Sequence, residues 1–351
     1  MNAFGQYTYP EISAQAEALA EAWAQLERQS DWVKDYLSEN GADEVIFIGS
    51  GSSYYQALSM ASTYRAWLGR SASAVPSSEL LLFPQQTLLP GRRYLVMGVS
   101  RSGESTEVIW ALEAVRDMPS VRVASITCYE DSTMAQLAPA LISPKGKERS
   151  TVMTKSFSSM TFLMQAAIAQ ASGRADLMNQ MAEVMRLDVQ VVQAADAFAG
   201  SFVDSHVLNQ YIYLGMGTYN GIALECCLKI KEMSYVWTEA YGTLEFRHGP
   251  KSIVQQGSLV VLLLSEQARS YELKVAREMQ EYGATILIVT ARGGADTEFA
   301  DAVFELGGTE LTDEARAVLY LPVLHYLGYY TALRNNVDPD SPRNLTQVVT
   351  I

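Results

Sequence analysis

One pattern occurs twice in this chain, and it leaves few folds open. In its first occurrence the apolar run Val45-Ile46-Phe47-Ile48 ends in Gly49-Ser50-Gly51-Ser52-Ser53, after which Tyr55 to Leu68 has the spacing of a helix. A second run, Tyr94-Leu95-Val96-Met97-Gly98-Val99, ends in Ser100-Arg101-Ser102-Gly103-Glu104-Ser105 and leads into a helix from Glu107 to Arg116; Val121 to Thr127 is a third run. Strands this apolar carry no polar face for water. They predict a parallel sheet covered by helices on both sides.

The series returns later. Ile212-Tyr213-Leu214-Gly215-Met216-Gly217-Thr218 lines up with Ile46 to Ser52, pairing Gly49 with Gly215, Gly51 with Gly217 and Ala57 with Ala223. Leu259 to Leu264, then Ser265 and a helix from Tyr271, parallels Leu95 to Ser100 and its helix; Thr285 to Thr290 parallels the strand ending at Thr127. Three matches in one order at a nearly constant offset indicate two copies of one αβα domain. The 351 residues then divide into a helical lead-in over 1–40, a first domain over 41–172, a connecting helix over 173–202, a second domain over 203–335 and a tail over 336–351. The lead-in places Ile12, Leu19, Trp23, Leu26, Val33 and Leu37 at roughly helical intervals.

Composition narrows the partners. With 48% hydrophobic and 19% charged residues the chain can bury a large core. A net charge of −13 and the lack of a basic cluster argue against nucleic acid and anionic membrane, but not against a small phosphate ester, which backbone N–H groups and hydroxyls can hold. Cys128, Cys226 and Cys227 are too few for a disulfide framework and lack zinc spacing, so a reducing cytoplasm and no metal are expected. The N-terminus has neither a basic nor an apolar signal region, and no secretion is expected. Ala317 to Leu333, interrupted by Pro322, His325 and Gly328, reads as a core helix.

The two hydroxyl-rich turns lie at the carboxyl ends of strands, where open α/β sheets bind ligands. Any single serine there is most simply an N-cap. Two such turns in one domain, one carrying Arg101, favour anion binding. A dinucleotide fingerprint fails because Tyr54 stands where its third glycine would be. In the second copy Glu266-Gln267-Ala268-Arg269 replaces the serines, so that copy is expected to keep the scaffold and to have lost the phosphate cradle.

Glu225, Lys229 and Glu232 fall at i, i+4 and i+7 and share one helix face. Their bland reading is a surface ion-pair stripe. His248, in the glycine-punctuated loop Glu245-Phe246-Arg247-His248-Gly249-Pro250, shifts the balance, because a carboxylate and a histidine suffice to move a proton between carbons and open a sugar ring. His206 and His325 read as satisfied packing residues.

With these segments in view, and with Lys229-Ile230-Lys231-Glu232, Glu239-Ala240-Tyr241 and Asp338-Pro339-Asp340-Ser341-Pro342-Arg343-Asn344-Leu345 beside them, the chain resembles the sugar isomerase (SIS) domain family. The likeness is greatest to the isomerase half of glucosamine-6-phosphate synthase. It implies an α/β fold of two tandem SIS domains, each an αβα sandwich with a mainly parallel sheet. It further implies that Ser52, Ser53, Ser100, Arg101, Ser102 and Ser105 hold the phosphate of a sugar 6-phosphate, that Glu232 shuttles a proton between C1 and C2, that His248 assists ring opening, and that Lys229 sits near the sugar hydroxyls. In the family the histidine comes from the neighbouring subunit, so a homodimer is expected, with no cofactor.

The likeness breaks in two places. Nothing in the sequence corresponds to a glutaminase domain, and Gln347 stands where the synthase has a lysine that reacts with the open-chain ketose. Glutamine forms no Schiff base. The segment Glu148 to Phe157 is similar to the sugar-contacting loop of the family's deaminases, which makes Glu148, Thr151 and Gln347 candidate sugar contacts. The expected activity is therefore that of an amino-sugar-6-phosphate deaminase/aldose–ketose isomerase, converting glucosamine 6-phosphate above all to fructose 6-phosphate and ammonia, with simple aldose–ketose isomerisation also open. Deglycation of a fructosamine 6-phosphate and non-catalytic sensing of a sugar phosphate are the alternatives.

Overall fold

The computed structural model describes residues 4–349. It divides into two compact units. The first comprises Ala14–Arg149, Met153–Ala182 and the chain from Leu345 onward; the second comprises the chain up to Ser13, Ser150–Val152 and Glu183–Asn344.

The first unit holds the strands β1 (Glu44–Gly49), β2 (Ala72–Pro76), β3 (Tyr94–Val99), β4 (Val121–Thr127) and β5 (Ala140–Ile142). They form one parallel sheet in the order β2-β1-β3-β4-β5, with Val45 opposite Leu95 and Ile48 opposite Gly98. Alternate residues of β1 and β3, Ile46, Ile48, Tyr94 and Val96, pack with Val108, Ala111, Leu112 and Val115 from the helix Thr106–Arg116. Those helical positions recur at i, i+3, i+4 and i+7, so one stripe faces the sheet. Each such aliphatic side chain contributes about 1.5–3 kcal/mol by leaving water.

The second unit repeats the arrangement with β6 (Gln210–Gly215), β7 (Thr238–Tyr241), β8 (Ser258–Leu263), β9 (Thr285–Thr290) and β10 (Ala302–Glu305). Its parallel sheet runs β10-β9-β8-β6-β7, the same topology once each strand is counted from the start of its copy. Ile212, Leu214, Val260, Leu262, Ile286 and Ile288 bury one face against Leu273, Val275, Ala276 and Met279 of the helix Arg269–Glu281. The duplication read from the sequence is thus a duplication of structure. It extends to a detail: a Cβ at Gly49 would lie 2.5 Å from the backbone of Ser53, and one at Gly215 would lie 2.6 Å from the backbone of Tyr219. Both strands need glycine at their last position because the following helix crosses so close.

Around the sheets the helical expectations are met. The lead-in forms the helices Thr8–Ser13, Gln15–Arg28 and Ser30–Val33; the segment between the sheets forms Lys155–Ala171 and Ala175–Ser205. The apolar stretch near the C-terminus is a buried core helix, Leu321–Arg334, with Pro322 in its first turn, where a missing N–H costs nothing. No helix among the described residues is long and apolar enough to cross a membrane. Within the second unit the start of the chain is tied to its far end: Gly5 N–H donates to Asp338 (3.0 Å), and the Thr8 N–H and hydroxyl both donate to Asp340 (2.8 and 2.7 Å).

Candidate active site

The strand order of the first unit reverses between β1 and β3, and a reversal of this kind opens a crevice beyond the strand ends. Both hydroxyl-rich turns sit there. After β1, Gly51 adopts φ 56°, a left-handed conformation that glycine accepts freely, and the helix Ser52–Leu68 begins with Ser52 and Ser53 in its first turn. After β3, Ser100 Oγ lies 3.2 Å from Ser105 Oγ and accepts the Gly103 N–H (3.1 Å), while Ser102 Oγ accepts the Glu104 N–H (3.1 Å). Gly103, at φ 68°, has no room for a Cβ, which would fall 2.1 Å from Ser132 Oγ. Five hydroxyls and two helix N-termini thus share the edge of one sheet. That combination suits an oxyanion.

Arg101 is nearly buried and pairs with Glu148 at 3.2 Å; another of its nitrogens donates to the Gln347 carbonyl (3.2 Å). Glu148 has no side-chain exposure at all. Besides Arg101 its carboxylate accepts the N–H and hydroxyl of Thr154 (2.7 and 2.9 Å) and of Ser156 (3.1 and 2.5 Å), the residues that start the helix Lys155–Ala171. It therefore fixes Arg101 and that helix start together. The Gln347 side-chain amide donates to the Arg149 carbonyl at 2.9 Å, which lays the tail over this region of the first unit. Thr151 belongs to the second unit, where its N–H donates to the Asp340 carbonyl at 3.3 Å.

In the second unit the helix Tyr219–Ser234 carries the charged triad. Lys229 is 1% exposed and lies 3.4 Å from Glu225, itself fully buried, and in closer contact with Glu232. The surface-stripe reading fails here, since an ion pair this dry is held by its surroundings and not by solvent. Glu232, with 16% of its side chain exposed, is the member that reaches water. Burial is enforced from across the helix pair: a Cβ at Gly328 would meet Ile230 Cα at 3.6 Å and Met233 Sδ at 3.1 Å, so the helix Leu321–Arg334 passes close over this face.

His248 follows the short helical turn Glu245–Arg247 and precedes Gly249, whose φ of 128° only glycine adopts easily. On either side of it Arg247 and Lys251 grip one carboxylate, Glu278, at 2.9 and 2.5 Å. This clamp holds the loop and leaves the imidazole exposed, with no side-chain hydrogen bond among the described residues. Nearby, Tyr241 donates to Glu239, and that bond pushes the phenol up to about 12.

The other histidines pack. His206 stacks on Phe202 with centroids 4.3 Å apart and bonds its carbonyl through Nδ1 at 2.9 Å. His325 is fully buried, but it is not the satisfied residue expected: neither ring nitrogen has a partner, and burial together with the Lys229 cation pushes it down to about 3. One role escaped the sequence reading, that of Glu148 as the buried partner of Arg101, and its only sequence signal was an acid a few residues before a helix start.

The SIS domain family matches residues 40–170 and 208–306, well over half of the chain. A glutamine–fructose-6-phosphate aminotransferase (isomerizing) from Brucella abortus is 28% identical over 323 residues, covering 88% of this chain and 52% of that protein; the chain thus spans about half the length of the curated relatives it matches. A glucosamine-6-phosphate deaminase from Thermotoga maritima superposes with a TM-score of 0.79 at 28% identity, over 98% of this chain and 99% of that one. A tagatose-6-phosphate ketose/aldose isomerase from Escherichia coli reaches 0.88 at 24% identity, over 96% and 95%, and shows the shared fold. With two five-stranded parallel sheets of one topology and this match across both, the chain belongs to the SIS domain family and is homologous to the isomerase domain of the aminotransferase.

Proposed function

We propose that the chain is a phosphosugar isomerase that works as an amino-sugar-6-phosphate deaminase, converting glucosamine 6-phosphate and water to fructose 6-phosphate and ammonia. The observation that carries the reading is the dry Lys229 holding Glu225 and Glu232, with Glu232 alone reaching solvent. A carboxylate held by a buried cation and open to water suits a proton shuttle.

The serines of the two turns, Ser52, Ser53, Ser100, Ser102 and Ser105, take the phosphate together with Arg101. His248, supplied by the partner subunit of a homodimer, assists ring opening. Glu232 then removes the C2 proton of the open chain and returns it at C1, which moves the double bond so that the amine becomes an imine at C2. Water adds to that carbon, and ammonia leaves as the C2 carbonyl forms. Lys229 holds Glu232 in place throughout.

Two facts favour deamination over synthesis of an amino sugar. Gln347 offers an amide in place of an amine for a Schiff base, and a glucosamine-6-phosphate deaminase is 28% identical along nearly the whole chain. The test is an assay of ammonia release and ketose formation across glucosamine, galactosamine and fructosamine 6-phosphates. Ammonia and fructose 6-phosphate from the first substrate support the reading. Release of an amino acid from a fructosamine 6-phosphate makes the chain a deglycase, and tight binding without any turnover makes it a sensor.

A further inference from the structure

The second copy is expected to have lost its phosphate cradle, but it keeps hydroxyls at the ends of its strands. Ser265 lies one residue beyond the strand position of Ser100, and its hydroxyl accepts the Ala268 N–H at 3.1 Å as Ser100 accepts the Gly103 N–H at 3.1 Å. The pairing of Gly49 with Gly215 places Tyr219 at the position of Ser53, so a hydroxyl stands at the head of the helix in both copies. The two residues after the serine, Arg101 and Ser102 in one copy, are Glu266 and Gln267 in the other. A cavity of about 320 Å³ opens beside them at the ends of β6 and β8, the second unit's own strand-order reversal, and Gly217, Thr218, Ser265 and Tyr271 line it.

What differs is the acceptor. In the second copy Asp313 receives the Glu266 N–H (3.1 Å), the Gln267 N–H (3.3 Å), the Tyr219 hydroxyl (3.1 Å) and an Arg316 nitrogen (3.0 Å). Two consecutive turn amides, a hydroxyl and a guanidinium are donors suited to a tetrahedral oxyanion, and here they close on a carboxylate of the chain. Arg316 is fully buried and also donates to the Gly308 and Leu311 carbonyls, so it is anchored whether or not an anion is present. In the first copy the Ser102 N–H, likewise the second after its turn serine, has no acceptor among the described residues. Ser265 differs too, because its hydroxyl donates to the buried Glu272 at 2.7 Å, whereas Ser100 has another serine as partner.

We infer that Asp313 is a built-in anion standing where phosphate would stand in the second copy, and that it limits the chain to one phosphosugar site. The inference rests on reading the first copy's turns as a phosphate cradle. Removing the carboxylate leaves a ready site for a small oxyanion, built from the Glu266 and Gln267 amides, Tyr219 and Arg316.

Calorimetric titration of the full chain and of Asp313→Ser with inorganic phosphate tests this. The expected result is about one phosphate per wild-type chain and about one more in the variant, the added site being lost in Asp313→Ser/Arg316→Gln. No phosphate on the wild type but one on the variant upholds the inference while removing the first cradle. One phosphate on each protein overturns the inference and leaves the first cradle standing, as two phosphates on the wild type also would, and none on either overturns both. Should Asp313→Ser not fold in chloride, refolding is compared in phosphate and chloride at equal ionic strength. Recovery in phosphate alone supports the internal anion, and failure in both overturns it.

Discussion

Acid should destabilise the second unit through His325, a group that no step of the proposed chemistry uses. The imidazole is fully buried on the helix Leu321–Arg334, it has no hydrogen-bond partner, and its pKa is pushed down to about 3 from an ordinary 6.5 by burial first and by the Lys229 cation second. Above pH 6.5 the ring is neutral in both folded and unfolded chains and contributes nothing to the pH dependence. Between 6.5 and about 3 the unfolded chain binds a proton that the folded one refuses, so stability falls as the pH falls, by about 1.4 kcal/mol per unit. Acidification to about pH 4.5 therefore costs roughly 2.7 kcal/mol through this one side chain, a large share of the 5–15 kcal/mol typical of a folded domain. His325→Leu removes the group at similar volume and leaves no buried ring nitrogen without a partner, so near neutral pH the variant should match or exceed the wild type. The assay is urea unfolding of both proteins at about pH 7 and about pH 4.5, compared as a difference so that every other titrating group cancels. An equal loss in the two proteins would refute the assignment, because His325 would then be taking its proton in the folded state.

Three further outcomes follow from the geometry. Glu232→Gln should lower kcat by about 10²–10⁴ while sugar-phosphate affinity by calorimetry stays within about twofold, and retained turnover would remove Glu232 as the shuttle. Glu148→Ala strands Arg101 and strips the start of the helix Lys155–Ala171, so thermal or urea unfolding should report a loss of about 3–5 kcal/mol together with weaker phosphate binding; a near-native stability would show the pair to be ornamental. Gly49→Ala drives a Cβ to 2.5 Å from the Ser53 backbone and should cost about 1–3 kcal/mol and disturb the phosphate turn, whereas Gly242→Ala, whose Cβ meets only Glu245 at 3.7 Å, should be nearly silent in the same measurements.

The sequence displayed the interior of each sheet and concealed its margins. β1, β3, β4, β6, β8 and β9 were readable as apolar runs because helices cover both faces. β2, β5, β7 and β10 went unread, and all four are sheet edges of three to five residues with half-exposed patterns, one of them ending in Pro76. The hydroxyl turns were legible because glycine and serine at a strand end are a local signal. Whether Glu225, Lys229 and Glu232 face water or protein was not, since i, i+4, i+7 spacing is the same in either case and Gly328, about a hundred positions on, decides it. Asp313 was hidden for the same reason, its donors Glu266 and Gln267 lying 47 and 46 positions away.

The bonds from Gly5 and Thr8 to Asp338 and Asp340 also bear on how the protein is made. On a ribosome the first helix emerges 332 positions ahead of the carboxylate that caps it. The strands of the first unit can meanwhile assemble, since each finds its neighbour within a short length of new chain. The opening segment must wait, solvated and unpaired, until residues 338–340 have been made. A pause or truncation before that point would therefore leave the helix Thr8–Ser13, some 330 positions upstream, open to proteases and chaperones.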